Sequence, residues 1–360
     1  MKYALALALI VVSSGCGGGA TEETETQAWE LSANPGGAAP ARRLAAPDSD
    51  FRAIVFDDDH VYWSSDRGQI WRVTKQGGWP ELLVDPSKIS GQYILGLAVD
   101  DEAIYWTDLT RGTVLKRSKR DGIVTVLASE QNRPYRVVVD GTRVYWTVQG
   151  DFSANMTSAK TGAVRAVDKR GGVPVTLADK EQLPTELAMD DVSVYFASGP
   201  WGDRNGSIRR VPKRGGAVQV MVSDQSTIRA LAARGGNVYF VEDRTPALSP
   251  FRGALLRVSV DGAYAVLDPD VSIAGPLTLS GNGIAYSALF DSPRRAEIRW
   301  VPIDGSTPWV LLAQRTYRRR ANTIGVTAIA VDDKMGYWGD FYWDYDGARS
   351  GSLMAAPFAR

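Results

Sequence analysis

The 360-residue chain has one cysteine and one histidine. A single cysteine, Cys16, allows no disulfide within the chain, so a folded domain must be held together by packing. A single histidine, His60, excludes any two-histidine metal site and leaves a Ser-His-Asp triad only that ring to use. Net charge is missing as well, because 41 basic residues balance 41 acidic ones. A nucleic-acid or polyanion binder shows a basic excess, so that class of partner is not expected. The apolar run Ala4 to Val12 has nine residues, far short of the ~20 that a membrane-spanning helix needs. Sustained helical spacing is absent after that run. GxSxG, the P-loop, HExxH and CxxC are absent too.

The first residues read as an address. Met1-Lys2, the short apolar run and Ser13-Ser14-Gly15-Cys16 form an export signal by their order and size. The small-residue run ending at Cys16 resembles a bacterial lipobox, with Ser13 where leucine is usual. That resemblance implies a lipoprotein signal peptide over 1–15, with Cys16 as the lipidated first residue of the mature protein. Gly17 to about Ala39 is rich in Gly, Ala, Thr and Glu and cannot bury a core, so 16–40 reads as a flexible tether. The expected location is the bacterial cell envelope, with the membrane reached through the lipid anchor alone. The expected state is a monomer.

Repetition dominates the rest. Val61-Tyr62-Trp63, Ile104-Tyr105-Trp106, Val144-Tyr145-Trp146, Val194-Tyr195-Phe196, Val238-Tyr239-Phe240, Ala285-Tyr286-Ser287 and Gly336-Tyr337-Trp338 align on their tyrosines, at steps of 43, 40, 50, 44, 47 and 51 residues. A period in this range marks a propeller or an array. Each unit has an apolar run ending in acid (Leu97-Ala98-Val99-Asp100), then the Tyr-aromatic run. A run opening on glycine (Gly206-Ser207-Ile208-Arg209) and a short apolar run (Val126-Leu127-Ala128) follow. Turns such as Gly77-Gly78, Asp121-Gly122 and Gly171-Gly172 join the last two, and such pairs mark tight hairpins because these turns need positive φ. Four short antiparallel strands per repeat make a propeller blade. Strands apolar on both faces suit blades sandwiched between neighbours.

The seventh unit has its first strand at Ile329-Ala330-Val331-Asp332 and its third at Ser352 to Phe358, and no fourth follows. Leu44 lies 13 residues before Asp57, as Leu127 lies before Asp140 and Leu177 before Asp190. Arg43-Leu44-Ala45 is therefore expected to complete the last blade from the other end of the chain, removing the open edge between first and last blade. The expected architecture over 41–360 is all-β: a seven-bladed β-propeller of four-stranded blades, closed by an N-terminal strand.

Tyr105-Trp106-Thr107-Asp108 is the literal motif of the YWTD β-propellers of lipoprotein-receptor ectodomains, and the weaker copies resemble YWTD-like propellers of bacterial envelope lipoproteins. The resemblance covers roughly 41–360. It implies the blade shape and, by analogy, a platform for binding other molecules. YWTD receptors have six blades, so a six-bladed ring is the alternative architecture.

Several short patterns invite a chemical reading. Ser64 to Trp71 fits the sialidase Asp-box, but it falls between second and third strands and occurs once, so it reads as a loop followed by a strand. Virginiamycin-lyase-like propellers use a catalytic histidine with Mg²⁺; His60 lies in a first-to-second-strand turn, on the opposite face from the usual propeller active site. Asp57-Asp58, Asp100-Asp101, Asp190-Asp191 and Asp332-Asp333 share that turn, where Asp side chains cap the local backbone. Asp344-Tyr345-Asp346-Gly347 is a candidate Ca²⁺ loop without the downstream Glu of an EF-hand. No cofactor is otherwise expected.

The loops between second and third strands and the connections between blades emerge on one face of a propeller, and here they lengthen and diversify. They carry Trp201, Phe251, Phe341, Tyr342, Trp343 and Tyr345 with Arg204, Arg244, Arg294, Arg295, Arg318, Arg319 and Arg320. Tyr, Trp and Arg dominate binding hot spots, and rigid scaffolds place sites on loops. The expected ligand residues are Trp201, Arg204, Arg244, Arg294, Arg318, Arg319, Arg320, Tyr342, Trp343 and Tyr345. The expected function is a non-enzymatic envelope scaffold that presents this face to a protein or glycan. The alternative is a polysaccharide hydrolase or lyase using acids such as Asp203, Asp340 or Asp344, paired about 5 Å or about 6.5–9.5 Å apart.

Overall fold

The computed structural model describes residues 30–31, 41–46, 51–85, 93–151, 160–199, 205–243, 252–291, 294–308, 310–316, 321–332, 334–344 and 349–357. They form seven blades of four antiparallel strands. Blade one is Phe51–Phe56, His60–Ser65, Ile70–Thr74 and Glu81–Val84. Blade two is Ile94–Val99, Ala103–Asp108, Thr113–Ser118 and Val124–Ala128; blade three is Pro134–Val139, Arg143–Val148, Gly162–Asp168 and Val175–Glu181. Blade four is Leu187–Met189, Ser193–Ser198, Gly206–Pro212 and Gln219–Gln225. Blades five and six share one unbroken strand, Tyr264–Ser280, whose early residues pair with Arg252–Ser259 and whose later ones pair with Gly283–Asp291. Blade seven is Ala321–Val331, Met335–Asp344, Arg349–Pro357 and, from the other end of the chain, Arg42–Ala45.

The core lies between blades, and the second strands build it. Pleating sends successive side chains to opposite faces. Tyr62 packs with Ile104 and Trp106 of blade two, while Val61 and Trp63 pack with Tyr337 of blade seven. The arrangement repeats with Tyr105 against Val144 and Trp146, Tyr145 against Val194 and Phe196, and Tyr195 against Val238 and Phe240. These aromatic side chains are at most 2% exposed. Each removes about 150–250 Å² from water, roughly 4–6 kcal/mol before the entropy of ordering it.

Blade six corrects the tyrosine alignment by one residue. Tyr239 packs against Ile284 and Tyr286, and Ala285 packs with Trp338. Ala285 therefore holds the tyrosine position and Tyr286 the second aromatic one. The tight turn fixes this register: Leu277 pairs with Tyr286 as Leu97 pairs with Trp106. A slip of one residue would put each side chain on the wrong face.

Closure takes the expected form, with Arg42, Arg43 and Ala45 paired to Ala355, Met354 and Leu353. Leu44 and Ala45 are buried there, and Arg42 reaches the backbone carbonyls of Lys75 and Gln76 in blade one, both at 2.5 Å. Gly339 makes room at the same seam, because a Cβ there would stand 2.6 Å from the Phe51 ring. One pairing falls inside the stretch read as a tether. Glu30–Leu31 aligns with Gln314 and Ala313 as an extra strand on the outer edge of blade six.

The two faces of the ring differ. On the face bearing the first-to-second-strand turns, here called the clasp face, every pair of neighbouring blades is tied by a polar contact. Lys119 binds Asp57 at 2.5 Å, Lys169 binds Asp100 at 2.6 Å and Lys213 binds Asp140 at 3.1 Å. The Gly236 amide donates to Asp190, the Arg234 guanidinium to the Gly281 carbonyl and the Ser280 hydroxyl to the Asp332 carbonyl. Lys75 closes the circle on Asp332 at 2.8 Å. The opposite face carries the second-to-third-strand loops and the blade connections, and is the loop face.

Candidate functional site

The clasp residues are accounted for by structure. Each turn aspartate caps its own backbone, as Asp57 does by accepting from the amides of Asp59 and His60, and Asp100 from those of Glu102 and Ala103. The tyrosine five residues on donates to the other carboxylate oxygen, at 2.7 Å for Tyr62 and 3.1 Å for Tyr105. Burial raises the Asp57 carboxyl, but hydrogen bonds from Lys119, Tyr62 and the two amides outweigh it and hold the group at about 2. Burial and the neighbouring carboxylate push the phenols of Tyr62 and Tyr105 far above their ordinary value. His60 opens the second strand of blade one, with its Nδ1 3.9 Å from Asp57 and its ring against Tyr62. Among the described residues no group of three or more His, Cys, Asp or Glu could hold a metal ion.

The Asp-box stretch is a tight turn. The Ser65 hydroxyl accepts from the Gln69 amide at 3.2 Å, and Gly68 supplies the positive φ. Asp108, the last residue of the YWTD motif, is fully buried and accepts from the amides of Thr110 and Arg111, so it shapes the adjoining loop. Asp340 occupies the same strand position in blade seven and is 1% exposed.

Of the ligand residues expected from sequence, Trp201, Arg204, Arg244, Arg318, Arg319, Arg320 and Tyr345 lie outside the described residues, as do Phe251, Asp203, Asp346 and Cys16. The backbones of Arg294, Tyr342 and Trp343 are described. Arg294 pairs with Asp291, while Tyr342 and Trp343 pair with Ile324 and Thr323 at the loop-face end of blade seven. Arg295 lies over the Phe290 ring and bonds Glu297.

The described part of the loop face gathers a polar arc around the central channel, and sequence reasoning missed it. Arg52 begins blade one, and its guanidinium lies 5.4 Å from the centre of the Tyr93 ring of blade two. In blade three, Arg136 lies against Tyr135, grips Glu186 of the next connection with Nε and Nη2 at about 3 Å, and donates Nη1 to the Leu95 carbonyl. In blade five, Arg229 pairs with Asp243 at 2.6 Å. Burial raises the Tyr135 phenol; Arg136 and Arg229 oppose the rise while Glu186 and Tyr93 add to it, so these five groups share one neighbourhood. The signal for the arc was present: Arg52, Arg136 and Arg229 are cations inside innermost strands whose neighbours are apolar. A charge there can be hydrated only by facing the channel.

Close backbone approach positions the arc. A Cβ at Gly96 would lie 2.6 Å from the Tyr135 carbonyl, so glycine lets blades two and three converge there. The Thr107 hydroxyl donates to that carbonyl at 2.6 Å and accepts from the Gly96 amide. Farther out, fourth-strand ends lock onto the next blade. Gln131 accepts from Trp146 and Arg165, Glu181 from Arg209, and Asp268 from Tyr286 and Arg299. Burial raises the Glu181 carboxyl, against the pull of Arg209. Three acids of this face, Glu186, Asp243 and Glu181, are thus each engaged by an arginine.

No protein-family model and no curated protein sequence matches the chain. Solved structures match its fold. A nidogen/laminin complex aligns over 72% of this chain and 96% of the matched one, at 16% identity and a TM-score of 0.51. The computationally designed Ika8 protein aligns over 88% and 98%, at 17% identity and 0.56. A prolyl endopeptidase structure aligns over 87% of this chain and 51% of its own, at 10% identity and 0.56. The chain is a β-propeller. At these identities the likeness carries the fold and no activity.

Proposed function

We propose that this propeller is a non-enzymatic binding scaffold of the bacterial cell envelope, lipid-anchored through Cys16, which presents its loop face to a protein or glycan. The difference between the two faces carries this reading. The clasp face spends its charges on tying neighbouring blades together, whereas the loop face surrounds the channel with arginines and tyrosines. A rigid ring with such groups at one mouth is suited to holding a ligand. The propeller fold also occurs in the nidogen/laminin complex, a setting of partner binding.

The test is cross-linking in intact envelopes of a bacterial host, with Trp343→Ala and with Arg318, Arg319 and Arg320 replaced by serine. The wild-type chain should capture a discrete partner, and both variants should lose it while melting at the wild-type temperature. Full capture by both variants would sink the loop-face reading. Cys16→Ser should move the protein out of the membrane fraction, and retention there would sink the anchor.

A further inference from the structure

We infer that the channel mouth holds a carboxylate subsite for an acidic sugar, a uronic acid residue of a glycan, centred on Arg52 and Tyr93. The inference rests on the loop face being the binding face and names what that face takes.

Three observations converge. First, Arg136 and Arg229 are committed to Glu186 and Asp243, whereas Arg52 has no carboxylate partner among the described residues. Its Nε is buried without a hydrogen-bond partner there. A guanidinium over a tyrosine ring, with no carboxylate on it among the described residues, is suited to receiving a planar carboxylate on its Nη groups. Second, the arc of Arg52, Arg136 and Arg229 against Glu186 and Asp243 leaves one positive charge over, which matches a singly charged carboxylate better than a doubly charged phosphate. Third, the phenols of Tyr93 and Tyr135 and the carboxylates of Glu186 and Asp243 offer donors and acceptors to a ring bearing hydroxyls. Tyr93 is 36% exposed and can also offer its ring for stacking.

The experiment is titration calorimetry on the mature-length chain with tri-galacturonate. α-1,4-Galactotriose serves as the neutral match, and acetyl-alanyl-alanine and inorganic phosphate as other anions. Tri-galacturonate should bind, more weakly as salt rises, and the other three should not bind measurably. Arg52→Gln should weaken it about tenfold or more, as loss of a charge-assisted contact does. Arg52→Lys should fall between, because a lysine keeps the charge without the fork. Arg120→Gln, on the clasp side, should leave binding unchanged, and melting curves of all variants should match wild type. Tyr93→Leu is the second variant should Arg52→Gln fold poorly, and it too should weaken binding.

Equal binding of galactotriose, of the peptide or of phosphate would overturn the inference. So would binding indifferent to Arg52 and Tyr93, or no binding of tri-galacturonate at all. Such failures leave the loop-face reading standing if envelope capture still depends on Trp343 and Arg318 to Arg320. Capture indifferent to those residues would sink that reading, whatever the sugar does.

Discussion

Asp57 receives protons from four directions at once: two backbone amides, a tyrosine hydroxyl and a lysine from the next blade. All four favour the charged carboxylate, so its folded pKa of about 2 lies below the ordinary 3.8. A depressed acid contributes stability that is complete above its unfolded pKa and is lost as pH falls through the folded one. For Asp57 that window runs from about pH 4 down to about pH 2. Asp100 and Asp332 are lowered too: burial raises each carboxyl, but a lysine and backbone amides outweigh it. Melting temperatures of wild type should therefore fall across this window, and those of Asp57→Asn should start lower at pH 7 and fall less steeply. Parallel curves for the two proteins would show that the clasp carries no charge-dependent stability. The repeated turn aspartates announced the backbone caps, though not their bonds to the tyrosines. The lysine from the neighbouring blade was not announced, because no local pattern says which chain segment will lie alongside.

At the scale of the strand, closure is where sequence and structure can be compared most directly. The 13-residue offset of Leu44 from Asp57 predicts a borrowed fourth strand, and Arg42–Ala45 fills that place. A protein starting at residue 47 would expose the edge of Arg349–Pro357 and lose the burial of Leu44 and Ala45. Bare edges recruit other chains. Size-exclusion and thermal melts should show that protein melting lower and self-associating, and a monomer with the wild-type melt would refute the role of the strand. Blade six was harder to read. Its tyrosine falls one position late because the turn at Ser280 to Gly283, and not the aromatic residue, sets the register. The channel arc was harder still. Arg52, Tyr93, Arg136 and Arg229 lie 41 to 177 residues apart along the chain, as their numbers show, and meet only because each lies at the loop-face end of an innermost strand. Loop residues such as Trp343 stood out by composition, whereas single arginines inside apolar strands did not.

At the scale of the whole molecule, the ring is held by seven similar seams between blades, and one blade is built from two distant parts of the chain. Arg42–Ala45, from the early part of the chain, and Arg349–Pro357, from its last part, are neighbours in blade seven. Chain order is therefore incidental to the architecture, and the molecule is open to circular permutation. The Gly171-Gly172 turn is a natural place for new ends, since both residues have positive φ and neither would meet an atom within 4 Å with a Cβ. Linking residue 357 to residue 42 and cutting there would leave Val175–Glu181 as the borrowed strand of blade three. That permuted chain should give the same circular-dichroism spectrum and a comparable melt; failure to fold would mean that the blade-seven seam has a privileged role in assembly. A closed ring built this way has no intrinsic first blade, and the borrowed strand marks only where the circle happens to be cut.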